Sequence, residues 1–482
     1  MTRPDACQIE SAWIRDRALS VQHIDDATRA VYAYALRLCR VRHIRVSGQK
    51  IDTAPILGEL RDKILDGIWN LADFANGIEA SESYNSTGTL APSAHWLLRD
   101  ILDFYPQISA MLREAVGRFE SAGISREVLE ADLREKKLVL ALGGGGGTGF
   151  VHLSLFQWLE ECGIQPALIT GTSIGALLGY VRALQNHYDA ALTTLKLPGY
   201  WRISQSIRPC FDTTHGLMGL CQIDLSRTFE AISQAFGWTV IPEFHELRIP
   251  FACVASGIEQ APGVRELVEP KGGTGFLRSI LQMTKLGWQR GIRHAASIAG
   301  LLSSSNAVRP VVFGFDRLTE RLPAVDGISF SMLVPGVLNF ELPQNHYKSR
   351  EILDQIFKEN DLYRLADGGL ASNVPVRAAL GAVSNGRIGT ENVYILGVDV
   401  FAPQPTDGLF YPLQKIANAN VHVDARQADV VVRPDYLLSP MNLAPTLGQL
   451  RSLNTKFRKD FAPEMKILQY ALAPLWPLVI SN

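Results

Sequence analysis

The chain has 482 residues, of which 47% are hydrophobic and 20% charged, with a formal net charge of −1. That is enough for two domains, or for one large domain with additions, around a sizeable core. The near-neutral balance removes any global attraction to nucleic acid or to acidic surfaces, so electrostatic targeting would have to be local.

Six cysteines, at 7, 39, 162, 210, 221 and 253, show no C-x-x-C or metal-ligand spacing and read as free thiols in a reducing compartment. The first residues, MTRPDACQIESAWIRDR, are charged throughout and lack an apolar signal core. No run reaches the roughly 18 apolar residues of a membrane-spanning helix. The expectation is a cytoplasmic protein without a transmembrane segment.

Residues 1–135 read as an all-helical region. Ile24, Ala27, Val31, Ala35 and Leu38 recur at spacings of three and four, as do Leu57, Leu60, Ile64, Ile68 and Leu71. Leu97, Ile101, Phe104, Ile108, Leu112 and Ala115 form a third stripe. Each predicts one apolar helix face. Pro55 suits the first turn of its helix, and Pro106 predicts a kink or restart. A polar loop falls between Ala80 and Pro92, and SREVLEADLREKK predicts a charged helix leading into the first strand. The region holds no catalytic cluster. It reads as structural packing, with oligomerisation, partner recognition or gating of a site as the functional alternatives.

From Lys136 the pattern changes. Leu138 to Leu142 is an apolar run of strand type, followed by five glycines, Gly143 to Gly147, then Thr148 and Gly149. A helix is predicted over Phe150 to Glu161, a second strand over Ala167 to Thr170, and then Gly171-Thr172-Ser173-Ile174-Gly175 opens another helix. G-x-S-x-G between a strand and a helix is the nucleophile-elbow pattern, in which a tight turn exposes the serine and demands Gly171 and Gly175 beside it. The competing reading is a glycine-rich turn with a capping serine. The upstream glycines can point several N–H groups into one concavity, suited to a phosphate or to the oxyanion of an acyl intermediate. Gly144, Gly146 and Gly149 also fit G-x-G-x-x-G, but the next strand ends in Thr170-Gly171 without the carboxylate of a dinucleotide site. No Gly-Lys-Ser/Thr follows, so the P-loop pattern fails too. His152 reads as a packing or capping residue, and Leu153, Phe156, Trp158 and Leu159 as cover for the sheet.

Strands and helices alternate to about residue 435, implying an α/β sandwich with a mostly parallel sheet. Pro250 to Gly257 is the next buried strand. Lys271 to Phe315 contains no acidic side chain before Asp316 and carries Lys271, Arg278, Lys285, Arg290, Arg293 and Arg309. Phe276, Leu277, Ile280, Leu281 and Trp288 interleave with these bases at helical spacing, which suits an anionic lipid surface. A solvated face or an internal lid is the alternative. Gly272 to Phe276 repeats the letters of Gly146 to Phe150 and reads as a loop. Asp367-Gly368-Gly369 allows a tight turn presenting a carboxylate at a strand end; Asp399 is the competing carboxylate. Residues 436–482 mix proline breaks with a basic helix around Arg451 to Lys459 and are expected to pack on the preceding unit.

GGGGGTG, then GTSIG one helix and one strand later, then LADGGLASNVPV, resemble the three motifs of patatin-like phospholipases, in their order. The resemblance runs from about Lys136 to Asp435 and implies a three-layer α/β sandwich. It implies a lipid acyl hydrolase of phospholipase A or lysophospholipase type with a Ser–Asp dyad, needing no histidine, metal or other cofactor. Ser173 would be the nucleophile and Asp367 the base. Gly144, Gly145, Gly146 and Gly147 would supply the oxyanion hole, with Gly149, Gly171, Gly175, Gly368 and Gly369 shaping the motifs. The partner would be a phospholipid or other lipid acyl ester, met by peripheral membrane contact. One position departs from the pattern: the family usually has Arg or Lys before the last glycine of the first motif, and this chain has Thr148. Two rivals stand beside this reading. One is a Ser-His-Asp α/β-hydrolase using Ser173, Asp367 or Asp399, and His422. The other is a non-catalytic lipid or nucleotide sensor on the same fold.

Overall fold

The computed structural model describes residues 4–73, 94–194, 207–209, 214–217, 219, 221–260, 292–293, 296–302, 307–343, 345–404 and 408–477. The polar loop 80–92, the glycine repeat at 272–276 and the bases Lys271, Arg278, Lys285 and Arg290 lie outside them.

The N-terminal region is built on α1 (Ala6–Leu19), α2 (Asp26–Arg40), α3 (Glu59–Asn70), α4 (Leu98–Ser121) and α5 (Arg126–Leu133). Two short antiparallel strand pairs join them, His43–Val46 with Gln49–Asp52 and Ala72–Asp73 with His95–Trp96. The apolar stripes turn inward as their spacing predicts: Val31, Ala35 and Leu38 are buried with Leu60, Ile64, Ile68, Ile101, Ile108 and Leu112. The first stripe is shorter than expected. Asp25 caps α2 through its side chain, so Ile24 lies before the helix, and Ala27 is exposed on its first turn. The second stripe is broken at Gly58, whose φ of 51° interrupts the helix. Pro106 neither stops nor restarts α4, which continues through it. Trp13 stacks on Tyr32 at 4.7 Å and meets Trp96 edge-on at 5.4 Å.

Among the described residues the main sheet has seven strands: β1 (Lys137–Leu142), β2 (Pro166–Thr172), β3 (Phe251–Glu259), β4 (Val308–Phe313), β5 (Leu362–Ala366), β6 (Val393–Val398) and β7 (Val430–Val432). Their order is β4-β3-β2-β1-β6-β7, with β5 added to β3. The pairs within β3-β2-β1-β6-β7 are parallel, and only β4 and β5 run antiparallel to β3. Leu138, Leu140 and Leu142 enter one core, while Val139 and Ala141 enter another on the opposite face. A parallel strand covered on both faces explains the unbroken apolar run in the sequence.

The C-terminal helix Leu447–Leu472 packs on α6 (Val151–Glu161), where Trp158 meets Phe457 and Phe461 with ring centroids 6.4 and 5.9 Å apart. Trp158 therefore faces this helix rather than the sheet. A buried charge network fastens the N-terminal helices to the sheet. Glu10 accepts from Arg40 at 3.0 Å and from Lys136 at 2.9 Å. Asp429, just before β7, accepts from Arg40 at 2.5 and 2.7 Å, from Ser11 at 2.7 Å and from the Ile395 N–H at 2.7 Å. Among the described residues no helix is long and apolar enough to cross a membrane.

Candidate active site

β2 and β5 approach each other head to head along β3. Thr172, the last residue of β2, pairs with Val254, and Ala366, the last of β5, pairs with Ser256. Two residues of strand span about 7 Å. The residues that follow, Ser173 and Asp367, are thus delivered to the same place from opposite directions.

Ser173 sits at φ 53° and ψ −122°, between β2 and α7 (Ile174–Ala183). A side chain in the left-handed region is strained. The glycines flanking it make the turn possible: a Cβ on Gly171 would lie 2.5 Å from the Gly175 carbonyl oxygen, and one on Gly175 would lie 2.3 Å from that of Leu142. The Ser173 N–H donates to Ser331 Oγ at 2.9 Å, and Ser331 donates in turn to the Val254 carbonyl at 2.5 Å.

Asp367 is held on three sides. Its N–H donates to the Leu333 carbonyl at 2.7 Å, its carbonyl accepts from Ser256 Oγ at 2.7 Å, and its Oδ1 accepts from the Gly369 N–H at 2.9 Å. Burial pushes its carboxyl up to about 6, against the lowering effect of hydrogen bonds from Gly369 and from the Ser173 hydroxyl. The turn is braced behind by Ser372, which donates to Asp424 at 2.5 Å, and by Thr172, which donates to the Ser372 carbonyl at 2.9 Å.

The glycine loop narrows the expectation of four oxyanion donors. The Gly144 N–H donates to the Asn373 carbonyl at 3.3 Å and the Gly147 N–H to that of Pro440 at 2.8 Å. Both are committed to holding the loop. Gly145 and Gly146 line the cavity beside Ser173, and among the described residues no backbone carbonyl takes their N–H groups. His152 is fully buried, with Nε2 3.0 Å from the Gly143 carbonyl oxygen. Burial lowers its pKa to about 4, so it stays neutral and braces the loop.

These residues open into a cavity of about 360 Å³. Its wall is apolar, with Ile223, Met332, Leu338, Phe401, Phe410 and Leu443 among its residues; Ser173, Asp367 and Asn373 supply the polar side chains. No histidine and no basic side chain lines it among the described residues. His422 is exposed, with Nε2 3.2 Å from Asn418 Nδ2. Asp399 is buried in an ion pair with Arg433 at 2.6 Å. Neither joins the cavity wall. Of the basic segment, Arg293 is exposed one residue after Ile292 of the cavity wall, and Arg309 is paired with Glu259.

Sequence reasoning missed three supports. Ser256 and Ser331 lie in segments, RIPFACVASGIE and SMLVPGVL, that share the resemblance, but neither serine was assigned a role. Pro440, Met441 and Leu443, from the stretch expected only to pack on the core, close the glycine loop and one wall of the cavity.

This elbow, glycine loop and aspartate turn on a mostly parallel sheet define the class, and comparison with known sequences agrees. The family model for patatin-like phospholipase matches residues 140–380, half of the chain. The chain belongs to the patatin-like phospholipase family. It is 27% identical over 158 residues to triacylglycerol lipase ptl3 of Schizosaccharomyces pombe, covering 32% of this chain and 30% of that protein. It is 35% identical over 80 residues to human patatin-like phospholipase domain-containing protein 6, covering 16% of this chain and 6% of that one. It is 36% identical over 81 residues to lysophospholipase nte1 of Neurospora crassa, covering 17% and 5%. The match thus spans less than a third of the length of each of these relatives.

Proposed function

We propose that this protein hydrolyses lipid acyl esters, in the manner of a phospholipase A or lysophospholipase, with Ser173 as nucleophile and Asp367 as base. The observation that carries the reading is the hydrogen bond between the Ser173 hydroxyl and a partly desolvated Asp367 carboxylate on the wall of an apolar cavity. A carboxylate in water is too weak a base to activate serine; raising it to about 6 brings it nearer the task. Ser173 attacks the ester carbonyl carbon and its proton passes to Asp367. The N–H groups of Gly145 and Gly146 take the oxyanion. The alcohol leaves with the proton from Asp367, an acyl-serine remains, and Asp367 then deprotonates the water that releases the fatty acid. Residues 136–435 form the catalytic unit in this reading, with 1–135 and 436–482 as additions. The basic segment that contains Arg293 contacts the anionic lipid surface.

The histidine-dependent alternative is not favoured, because His422 is exposed and Asp399 is tied to Arg433. The sensor alternative lacks a cation on the described cavity wall to bind a phosphate. The test is mass spectrometry after fluorophosphonate treatment, paired with release of fatty acid from phospholipid and lysophospholipid vesicles. A fluorophosphonate adduct on Ser173 together with released fatty acid is expected. Tight lipid binding with neither outcome would overturn the reading.

A further inference from the structure

Thr148 stands where the family pattern has a basic residue, and its side chain is buried, 4% exposed. Its hydroxyl donates to the Gly145 carbonyl at 2.8 Å. A trans peptide is planar, with its C=O and N–H on opposite sides. The carbonyl of Gly145 and the N–H of Gly146 belong to the same peptide. Holding the carbonyl on the Thr148 side therefore turns the Gly146 N–H the other way, and Gly146 lines the cavity beside Ser173.

The neighbouring peptides are pinned by other groups. The Gly143 N–H goes to the Val398 carbonyl at 2.9 Å, the Gly144 N–H to Asn373 and the Gly147 N–H to Pro440. None of these touches the Gly145–Gly146 peptide itself. Gly146, at φ 62°, is conformationally free in a way that other residues are not, so this peptide is able to flip when its carbonyl is released. A flipped peptide would present a carbonyl oxygen to the developing oxyanion.

We propose that Thr148 is a positioning residue of the oxyanion hole, locking the Gly145–Gly146 peptide with its N–H directed at the reacting carbonyl. The inference rests on the Ser173–Asp367 reading above. A side chain that in the family pattern would carry a charge serves in this chain as an internal clamp on the catalytic loop.

Thr148→Val keeps the shape of the side chain and removes the hydroxyl. Complete loss of one oxyanion donor costs about 10²–10³ in kcat. A loosened donor is expected to cost roughly 10–100-fold on a short-chain p-nitrophenyl ester, with KM within about twofold. The rate of labelling by an alkyl fluorophosphonate, which uses the same hole, should fall in parallel. Thr148→Ser should restore most of both rates. Thr148→Ala carries the same expectation as Val should the Val variant not fold, and thermal melting of the full chain checks this. Wild-type kcat in a folded Val or Ala variant would overturn the proposal. So would a loss confined to KM with unchanged labelling, or a Ser variant as slow as Val. Ser173→Ala run alongside separates the two readings. If it retains activity, the Ser–Asp reading fails and takes this inference with it. If it is inactive while folded Thr148→Val is fully active, only this inference fails.

Discussion

Two aspartates in different parts of one sheet, Asp429 buried and Asp367 half-buried, have opposite chemistry. Asp429 sits where the N-terminal helices dock on β7 and is surrounded by donors, with Arg40 holding its carboxyl below the usual carboxylate range despite burial. Asp367 follows β5 with no cation beside it among the described residues, and burial pushes it up to about 6. The first carboxylate is fully paired and therefore structural. The second is left short of partners, apart from one backbone N–H and the Ser173 hydroxyl, and that shortage makes it basic. Burial alone does not set the basicity of a carboxylate; the charge opposite it decides.

The comparison can be broken most sharply at the site. Ser173→Ala and Asp367→Asn should each reduce ester hydrolysis by at least about 10³-fold with the fold intact, read by kcat and by circular dichroism. At the other aspartate the effect should be on stability. Arg40→Ala leaves Asp429 and Glu10 buried with less compensation and should destabilise the chain by about 3–5 kcal/mol in denaturant unfolding, with the rate per folded molecule unchanged.

A smaller effect, of opposite sign, is expected from Asp367→Asn. The native carboxyl is raised from 3.8 to about 6, so the folded state binds the proton more tightly than the unfolded state does. Its unfavourable contribution is absent below the unfolded value, grows as pH rises through the interval, and is complete above about 6. The Asn variant should therefore be more stable than wild type at pH 8, by roughly 1–2 kcal/mol after allowing for the partial exposure of the carboxylate, and lose that advantage near pH 4. The same group predicts that kcat/KM climbs about tenfold per pH unit to a bend near 6, and a bend near 4 would contradict it. The smallest effect belongs to His422→Ala, for which activity within about twofold of wild type is expected.

The three motifs were legible because each is a local device: glycines for a turn, a serine at a strand end, a carboxylate before two glycines. The apolar run of β1 and the alternation of strands with helices likewise announced an α/β sandwich with a mostly parallel sheet. What could not be read is what the chain brings from afar. Ser331 reaches the elbow N–H across 158 residues, and Pro440 closes the loop from the segment after β7. Neither leaves periodicity or spacing in its own neighbourhood. The division of labour among the glycines was hidden for the same reason, since Asn373 and Pro440 decide which N–H groups remain free. The shortened first stripe shows a local competition instead, with the cap at Asp25 overriding a spacing that would have started the helix earlier.

The head-to-head meeting of β2 and β5 makes β3 a ruler on which Ser173 and Asp367 are marked off. Inserting one residue between Val254 and Ser256 would part the two strand ends by about 3.3 Å and turn one of them to the opposite face of the sheet. Side chains along the cavity wall can be exchanged while that ruler stays intact, so the shape of the cavity is free to drift. The count of residues between two marks on an unremarkable apolar strand is not.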